Sequence, residues 1–249
     1  MKQKTIKILN EINRDLYHDE ARSFSASRQQ AWLGWEKVWE NISAKLPEEP
    51  DVLDLGCGNG RFGTFLISKL GPRFDYTGLD FSPPLLKEAQ ARLCQTPRCT
   101  LIQADLVNRR LKADLKNQKY DLIVLMGVFH HIPSFKLRHR LLHEAVGYLK
   151  AGGLLTATFW QFMNNGKSRL KVINWPDWIS KTASSLDQND LETGDYLLPW
   201  IRSATPRYCH FIDSQESQRL TADLPVREIS QFIDDGQMNH YYLWQMIKV

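Results

Sequence analysis

The feature that most constrains this chain is a short apolar run that breaks into three alternating glycines. Val52-Leu53-Asp54-Leu55 leads into Gly56-Cys57-Gly58-Asn59-Gly60, and Phe62, Phe65, Leu66 and Leu70 then repeat at helical spacing. A buried strand, a tight turn and an amphipathic helix together open an α/β sheet whose turn lets backbone approach a ligand. Gly71-Pro72 stops the helix. The rhythm continues with Tyr76 to Asp80 as a strand, then Ser82-Pro83 starting a helix that carries Leu85, Leu86, Ala89 and Leu93. Thr100 to Asp105 and Tyr120 to Met126 read as strands three and four. Leu137, Leu141, Ala145 and Leu149 mark a helix stopped by Lys150-Ala151-Gly152-Gly153, and Leu154 to Trp160 resumes as strand five. Strands alternating with helices predict a parallel sheet covered on both faces.

Asp213-Ser214-Gln215-Glu216 carries a helix-capping signal. Val226 to Ile233 and Tyr241 to Val249 read as two strands joined by a turn at Asp235-Gly236. The expected architecture is one domain over residues 1–249: a Rossmann-like, doubly wound, mostly parallel seven-stranded sheet with an antiparallel C-terminal strand pair. Two regions fall outside the rhythm. Residues 1–47 hold helical patterns (Ile8, Ile12, Leu16; Trp32, Trp35, Trp39, Ile42) and are expected to form a lid over the sheet's carboxyl edge. Residues 161–212, rich in Asn, Ser, Asp and tryptophan- or proline-containing turns, are expected to be a substrate-side insertion.

With 43% apolar residues the chain can bury a large core, which excludes wholesale disorder. Cys57, Cys94, Cys99 and Cys209 form no CxxC pair and no zinc-finger spacing, so no metal site is expected and a reducing compartment is. The amino terminus lacks the apolar stretch of a signal peptide, and no apolar run approaches the roughly 20 residues that cross a bilayer. A soluble, cytoplasmic protein with no membrane association is the expectation.

The glycine loop contains a literal GxGxxG at Gly58, Gly60 and Gly63, which alone suggests a dinucleotide. Asp54 argues otherwise, because a carboxylate beside the turn repels a pyrophosphate and welcomes a cationic amine. S-adenosylmethionine has that amine and no phosphate. Asp80 ends strand two, where an acid accepts hydrogen bonds from ribose hydroxyls, and Asp105 ends strand three, where it can meet an adenine amino group.

DLGCGNGRF, GLDFS after strand two, QADL after strand three and VFHHIPS after strand four resemble the class I S-adenosylmethionine-dependent methyltransferases. That resemblance covers about residues 48–160. It implies that Asp54, Gly56, Cys57, Gly58, Asn59 and Gly60 surround the methionine part of the cofactor. It likewise implies that Asp80 and Phe81 hold the ribose, Asp105 and Leu106 the adenine, and that Gly127 and Val128 floor the sulfonium. Outside that core, Phe24-Ser25-Ala26-Ser27-Arg28, Phe129-His130-His131-Ile132, Leu198-Pro199-Trp200 and Arg207-Tyr208-Cys209-His210-Phe211 resemble the tRNA wobble-uridine carboxymethyl-ester methyltransferases. Cys209 and Ser27 depart from that family's usual tyrosine and threonine.

The resemblance implies esterification of a carboxymethyl group on the wobble uridine of tRNA, and a small zinc-binding activator as a possible partner. It puts Arg28, Trp200, Arg207, Tyr208 and His210 at the substrate edge, with Arg28 also near the cofactor. His130 and His131 are the candidate catalytic bases, although a carboxylate acceptor with a pKa near ~4 needs none. The alternative is a small-molecule methyltransferase acting on a carboxylate, phenol or amine, with Trp160, Trp175, Trp178 and Trp200 lining a closed pocket. Net charge is only +4, but Arg109, Arg110 and Lys112, with Lys136, Arg138 and Arg140, are candidates for phosphate contacts if they share a face.

Overall fold

The computed structural model describes residues 1–94, 96, 98–200 and 205–247; Lys248 and Val249, which the sequence assigns to the last strand, lie outside the described residues. The chain opens with helices α1 (Gln3–Asp19), α2 (Ala21–Ala26) and α3 (Gly34–Ile42). There follow β1 (Asp51–Leu55), α4 (Arg61–Leu70), β2 (Asp75–Asp80), α5 (Pro83–Leu93), β3 (Cys99–Gln103), α6 (Lys112–Leu115) and β4 (Tyr120–Leu125). Next come α7 (Phe135–Gly147), β5 (Leu149–Trp160), α8 (Gly166–Arg169), α9 (Trp175–Thr182), β6 (Asp195–Pro199) and β7 (Pro206–His210). Helix α10 (Ser214–Thr221) and strands β8 (Val226–Asp234) and β9 (Asn239–Met246) complete the fold.

The main sheet has seven strands in the order β3-β2-β1-β4-β5-β9-β8. Strands β1 to β5 run parallel, whereas β9 pairs antiparallel with β5 and β8 antiparallel with β9. This is the expected doubly wound topology. Strand order reverses beside β1, so the ends of β1, β2 and β4 border the crevice where such sheets take ligands. Val52, Leu53, Leu122, Ile123, Val124, Leu154 and Leu155 are buried in cores on the two faces. None of the described helices is long and apolar enough to cross a membrane.

Helix α4 starts at Gly60, whose φ of +75° favours glycine. The Gly56 backbone has φ +77°, and a Cβ there would come within 2.5 Å of Val128 Cγ2, so the turn needs glycine twice over. Helix α10 begins as its sequence signal says, with Asp213 accepting a hydrogen bond from the Glu216 amide at 2.8 Å. Strand β3 ends at Gln103, so Asp105 stands just beyond it, and the largest boundary difference is at β5. Strand β5 begins at Leu149 and runs through Gly152-Gly153, with its register against β4 shifting between Tyr120 and Leu122. An irregularity of that kind absorbs residues that read as a loop.

The insertion contains its own antiparallel pair, β6 with β7. The amino-terminal helix lies against it, and Asn13 Oδ1 accepts a hydrogen bond from the Tyr208 amide at 2.9 Å. A polar cluster holds the far side. Arg138, fully buried, donates to Glu192 at 2.6 Å and Glu216 at 2.7 Å. Arg138 is therefore not free for phosphate contact, and several of the other basic residues already have partners. Arg110 pairs with Glu144, Arg109 with Asp114, and Arg140 spends its guanidinium on the carbonyls of Leu106 and Val107.

Candidate functional site

At the carboxyl ends of β1, β2 and β4 lies a crevice of about 710 Å³, bordered by Gly56, Gly58, Asp80, Phe81, Asp105, Leu106, Gly127 and Val128. These are eight of the residues expected around a cofactor. Asp80 is buried, and its carboxylate accepts from the Gly58 and Ser82 amides, each at 2.9 Å. Burial drives its pKa up to about 6 against the pull of those amides. Asp105 accepts from the Val107 amide and from Asn10 Nδ2, at 2.9 and 3.0 Å. Phe81, Leu85, Leu106 and Val107 give the same end of the crevice apolar walls.

Asp54 does not line this space. Its carboxyl is turned into the sheet and accepts from the Tyr76 hydroxyl at 2.6 Å, and burial pushes its pKa up to about 7. Discrimination against pyrophosphate therefore cannot rest on Asp54, as the sequence suggested. It rests on the lining as a whole. Asp80 and Asp105 face the crevice, and no lysine or arginine borders it. A diphosphate would meet two acids, of which Asp105 alone has a cation beside it (Arg14, 3.5 Å), whereas a sulfonium amino acid meets complementary charge. The residues present fit S-adenosylmethionine.

Cys57, Asn59 and Gly60 also stand behind the crevice rather than in it. Asn59 Nδ2 donates to Ser25 Oγ at 2.8 Å and ties the glycine loop to the segment carrying Arg28. The amino-terminal helices supply what sequence reading missed: Asn10, Asn13, Tyr17 and Phe24 border the crevice. Asn10, Asn13 and Tyr17 lie three and four residues apart on the face of α1 that also buries Ile6, Leu9 and Leu16. Buried amides on an apolar helix face were the available signal.

His131 borders the crevice but is not placed as a base. Its Nδ1 lies 3.1 Å from the Tyr208 carbonyl and 3.2 Å from Asn13 Nδ2, and its Nε2 2.8 Å from the Tyr17 hydroxyl, so both ring nitrogens are engaged within the protein. Burial, with Arg207 nearby, pulls its pKa down to about 3, so it stays neutral. His130 is also held neutral, by burial first and then by His131 and Arg207. Its Nδ1 is buried without a partner.

A second cavity, of about 1420 Å³, adjoins the first and shares Tyr17, Phe24, Met126 and Gly127 with it. Arg28, Arg61 and Arg207 border it, together with Trp32, His130, Trp160 and Asp235. Arg28 thus belongs to this basin and not to the cofactor crevice. The Arg207 guanidinium lies 4.5 Å from the Trp160 ring centroid and 5.4 Å from that of Trp200. Arg207 is itself buried, and its Nε has no hydrogen-bond partner. Burial lowers the pKa of Arg61 to about 10 and also lowers that of Arg28, with Arg28 and Arg207 respectively adding repulsion. Among the described residues none of the three arginines is in an ion pair. Asp235 is engaged by Tyr241, the Gly34 amide and Asn239.

Three expected substrate residues are structural instead. Trp200 is buried against Phe24, and its indole donates to Ser23 Oγ at 3.1 Å. Tyr208 donates to Asp195 at 2.6 Å from a fully buried position. His210 sits between Asp195 at 2.7 Å and Glu216 at 2.8 Å; burial lowers its pKa, but those two hydrogen bonds outweigh it and hold it above the ordinary value. Trp175 and Trp178 pack on each other away from both cavities. Of the four tryptophans expected to line a pocket, only Trp160 does.

The family description "Methyltransferase domain" matches residues 53–155. A protein of Encephalitozoon cuniculi with a provisional methyltransferase name is 29% identical over 208 residues, 83% of this chain and 83% of its own length. The tRNA (carboxymethyluridine(34)-5-O)-methyltransferase of Arabidopsis thaliana is 29% identical over 145 residues, 58% of this chain. The match spans only 31% of that relative's length. Among solved structures, an amino pentose methyltransferase from Micromonospora echinaspora with SAM bound superposes with a TM-score of 0.60 at 16% identity. The superposition covers 90% of this chain and 95% of the other. This chain therefore carries a methyltransferase domain over residues 53–155 in the fold of the S-adenosylmethionine-dependent methyltransferases, whose methyl donor its crevice fits.

Proposed function

We propose that the enzyme methylates a carboxylate, and that this carboxylate is the carboxymethyl group of a wobble uridine in tRNA. One observation carries the reading: an acid-lined crevice opens into a basin bordered by three arginines and a single carboxylate, Asp235, with none of the three arginines in an ion pair among the described residues. Opposite charges on the two sides suit a cationic donor and an anionic acceptor meeting at the shared wall of Tyr17, Phe24, Met126 and Gly127. When bound, S-adenosylmethionine supplies an electrophilic methyl group on its sulfonium. Asp80 and Asp105 hold the ribose and adenine, and Gly56 and Gly58 leave room for close backbone contact.

Arg207 and Arg28 receive the acceptor carboxylate, in the charge-assisted geometry that guanidinium groups favour. Such an acceptor is already ionised at neutral pH, so no base is needed. That agrees with the two neutral histidines, of which His131 positions Tyr17. The segments 1–47 and 161–212 act together as lid and acceptor wall, since one brings Tyr17 and Arg28 and the other Arg207. The likeness to the Arabidopsis enzyme supports tRNA as the carrier. A small zinc-binding activator at a free sheet edge and a cytoplasmic site of action complete the reading.

The test is methyl transfer from labelled donor to total tRNA and, separately, to an acidic metabolite extract. Label in tRNA that mild alkali releases as methanol is the expected result. Label found only in the small-molecule extract would overturn the RNA reading, and alkali-stable label would overturn the ester.

A further inference from the structure

Away from both cavities, α7 and the segment after α10 bring two histidines and an aspartate to one point. His139 and His143 lie one helical turn apart on α7, and their Nε2 atoms are 3.1 Å from each other. Asp223 Oδ1 is 3.2 Å from the first and 3.1 Å from the second. Hydrogen bonds alone cannot satisfy this triangle. Each imidazole offers at most one proton at Nε2 and the carboxylate offers none. With both protons present, the two nitrogens face each other as donors. With one, the other nitrogen and the carboxylate oxygen face each other as acceptors. A cation at the centre satisfies all three lone pairs together.

We propose that His139, His143 and Asp223 form a zinc site. Ligands ~2.0–2.1 Å from zinc in a tetrahedron stand ~3.3–3.4 Å apart, close to the three separations seen here. Two imidazoles and one carboxylate form a donor set that zinc accepts, with solvent in the remaining position. The ring of His139 is already oriented: it stacks on Phe135 with 5.7 Å between centroids, and Arg219 of α10 covers the other ring at 4.6 Å. The site differs from the two other clusters of this kind. His131 uses both ring nitrogens within the protein, and the Glu192, Asp195 and His210 group is neutralised by Arg138. Zinc here ties the end of α10 to α7, and so steadies Glu216, which holds both Arg138 and His210. The His-x-x-x-His spacing on a helix was present in the sequence; its carboxylate, 80 residues away, was not recognisable there.

The experiment strips the untagged full chain with chelator and titrates Zn²⁺ against a chromogenic zinc indicator. One tight equivalent is expected for wild type, weakened at least tenfold by His139→Ala or His143→Ala and retained by Cys94→Ser. Circular dichroism confirms that each variant is folded. Zinc should raise the melting temperature of the stripped wild type and leave that of His143→Ala unchanged. The absence of a stoichiometric equivalent, or equal affinity in wild type and both histidine variants, overturns the proposal.

Discussion

Replacing Arg207 by methionine separates the two things a buried arginine can do. Its guanidinium faces the basin, stacked between Trp160 and Trp200, with Nε unpartnered. If it exists to hold the fold together, removing it should destabilise the chain. A buried cation without a carboxylate is itself a liability, because desolvation is not repaid by an ion pair. The opposing loss is two cation–π contacts, each about 0.5–2 kcal/mol. Methionine fills a similar volume, so the melting temperature of Arg207→Met should stay level or rise. The acceptor should suffer instead. A hydrogen bond to a charged group contributes about 1.5–3 kcal/mol, which converts to a loss of roughly 10- to 150-fold in kcat/KM. Most of it should appear in KM, since a ground-state carboxylate already uses the contact. Arg207→Lys keeps the charge but not the fork, and should recover only part. Steady-state methylation with labelled donor, run beside a thermal melt, reads both quantities. A melting temperature several degrees lower with unchanged kcat/KM would refute the assignment and make Arg207 a structural residue.

Asp80→Ala should weaken S-adenosylmethionine binding at least tenfold by calorimetry, whereas Asp54→Asn should leave affinity within a few-fold, because that carboxyl faces Tyr76; equal losses in both would contradict the geometry. Burial raises Asp54 to about 7 and Asp80 to about 6, so between pH ~4 and ~7 the folded chain binds more protons than the unfolded one. Cofactor-free stability in urea should therefore fall as pH rises through that window, and less steeply in Asp54→Asn. Arg138→Ala strands Glu192 and Glu216 without their buried cation and should cost about 3–5 kcal/mol of stability; a change below 1 kcal/mol in chemical denaturation would mean that the pairing is not structural.

Much of the fold was legible because its determinants are local. Helix α4 matches the sequence expectation at both ends, since a left-handed glycine starts it and Gly71 stops it. Asp80 and Asp105 followed from the rule that ligands sit at strand ends, Gly127 and Val128 from the family resemblance, and all four border the crevice. The errors fall where a side chain had two plausible destinations. Tyr208 and His210 lie on a strand beside Arg207 and share its motif, yet alternation and Asp195 turn them into a buried hydrogen-bond cluster. Asp54 has the right position in the chain and the wrong direction for contact, because Tyr76 on the neighbouring strand offers it a hydroxyl.

Hydrophobic period, glycine placement and capping residues act over a few neighbours, so the amino-acid sequence alone determined the alternating elements, the sheet type and the strand ends that make the crevice. What it left open were meetings between residues far apart in the chain. Arg28 and Arg207 share one basin, Asn13 reaches the Tyr208 amide, and Asp223, in the turn after α10, joins two histidines of α7. Whether a polar group is a ligand, a base or a structural tie depends on which partner it finds on burial, and only the folded chain supplies that partner.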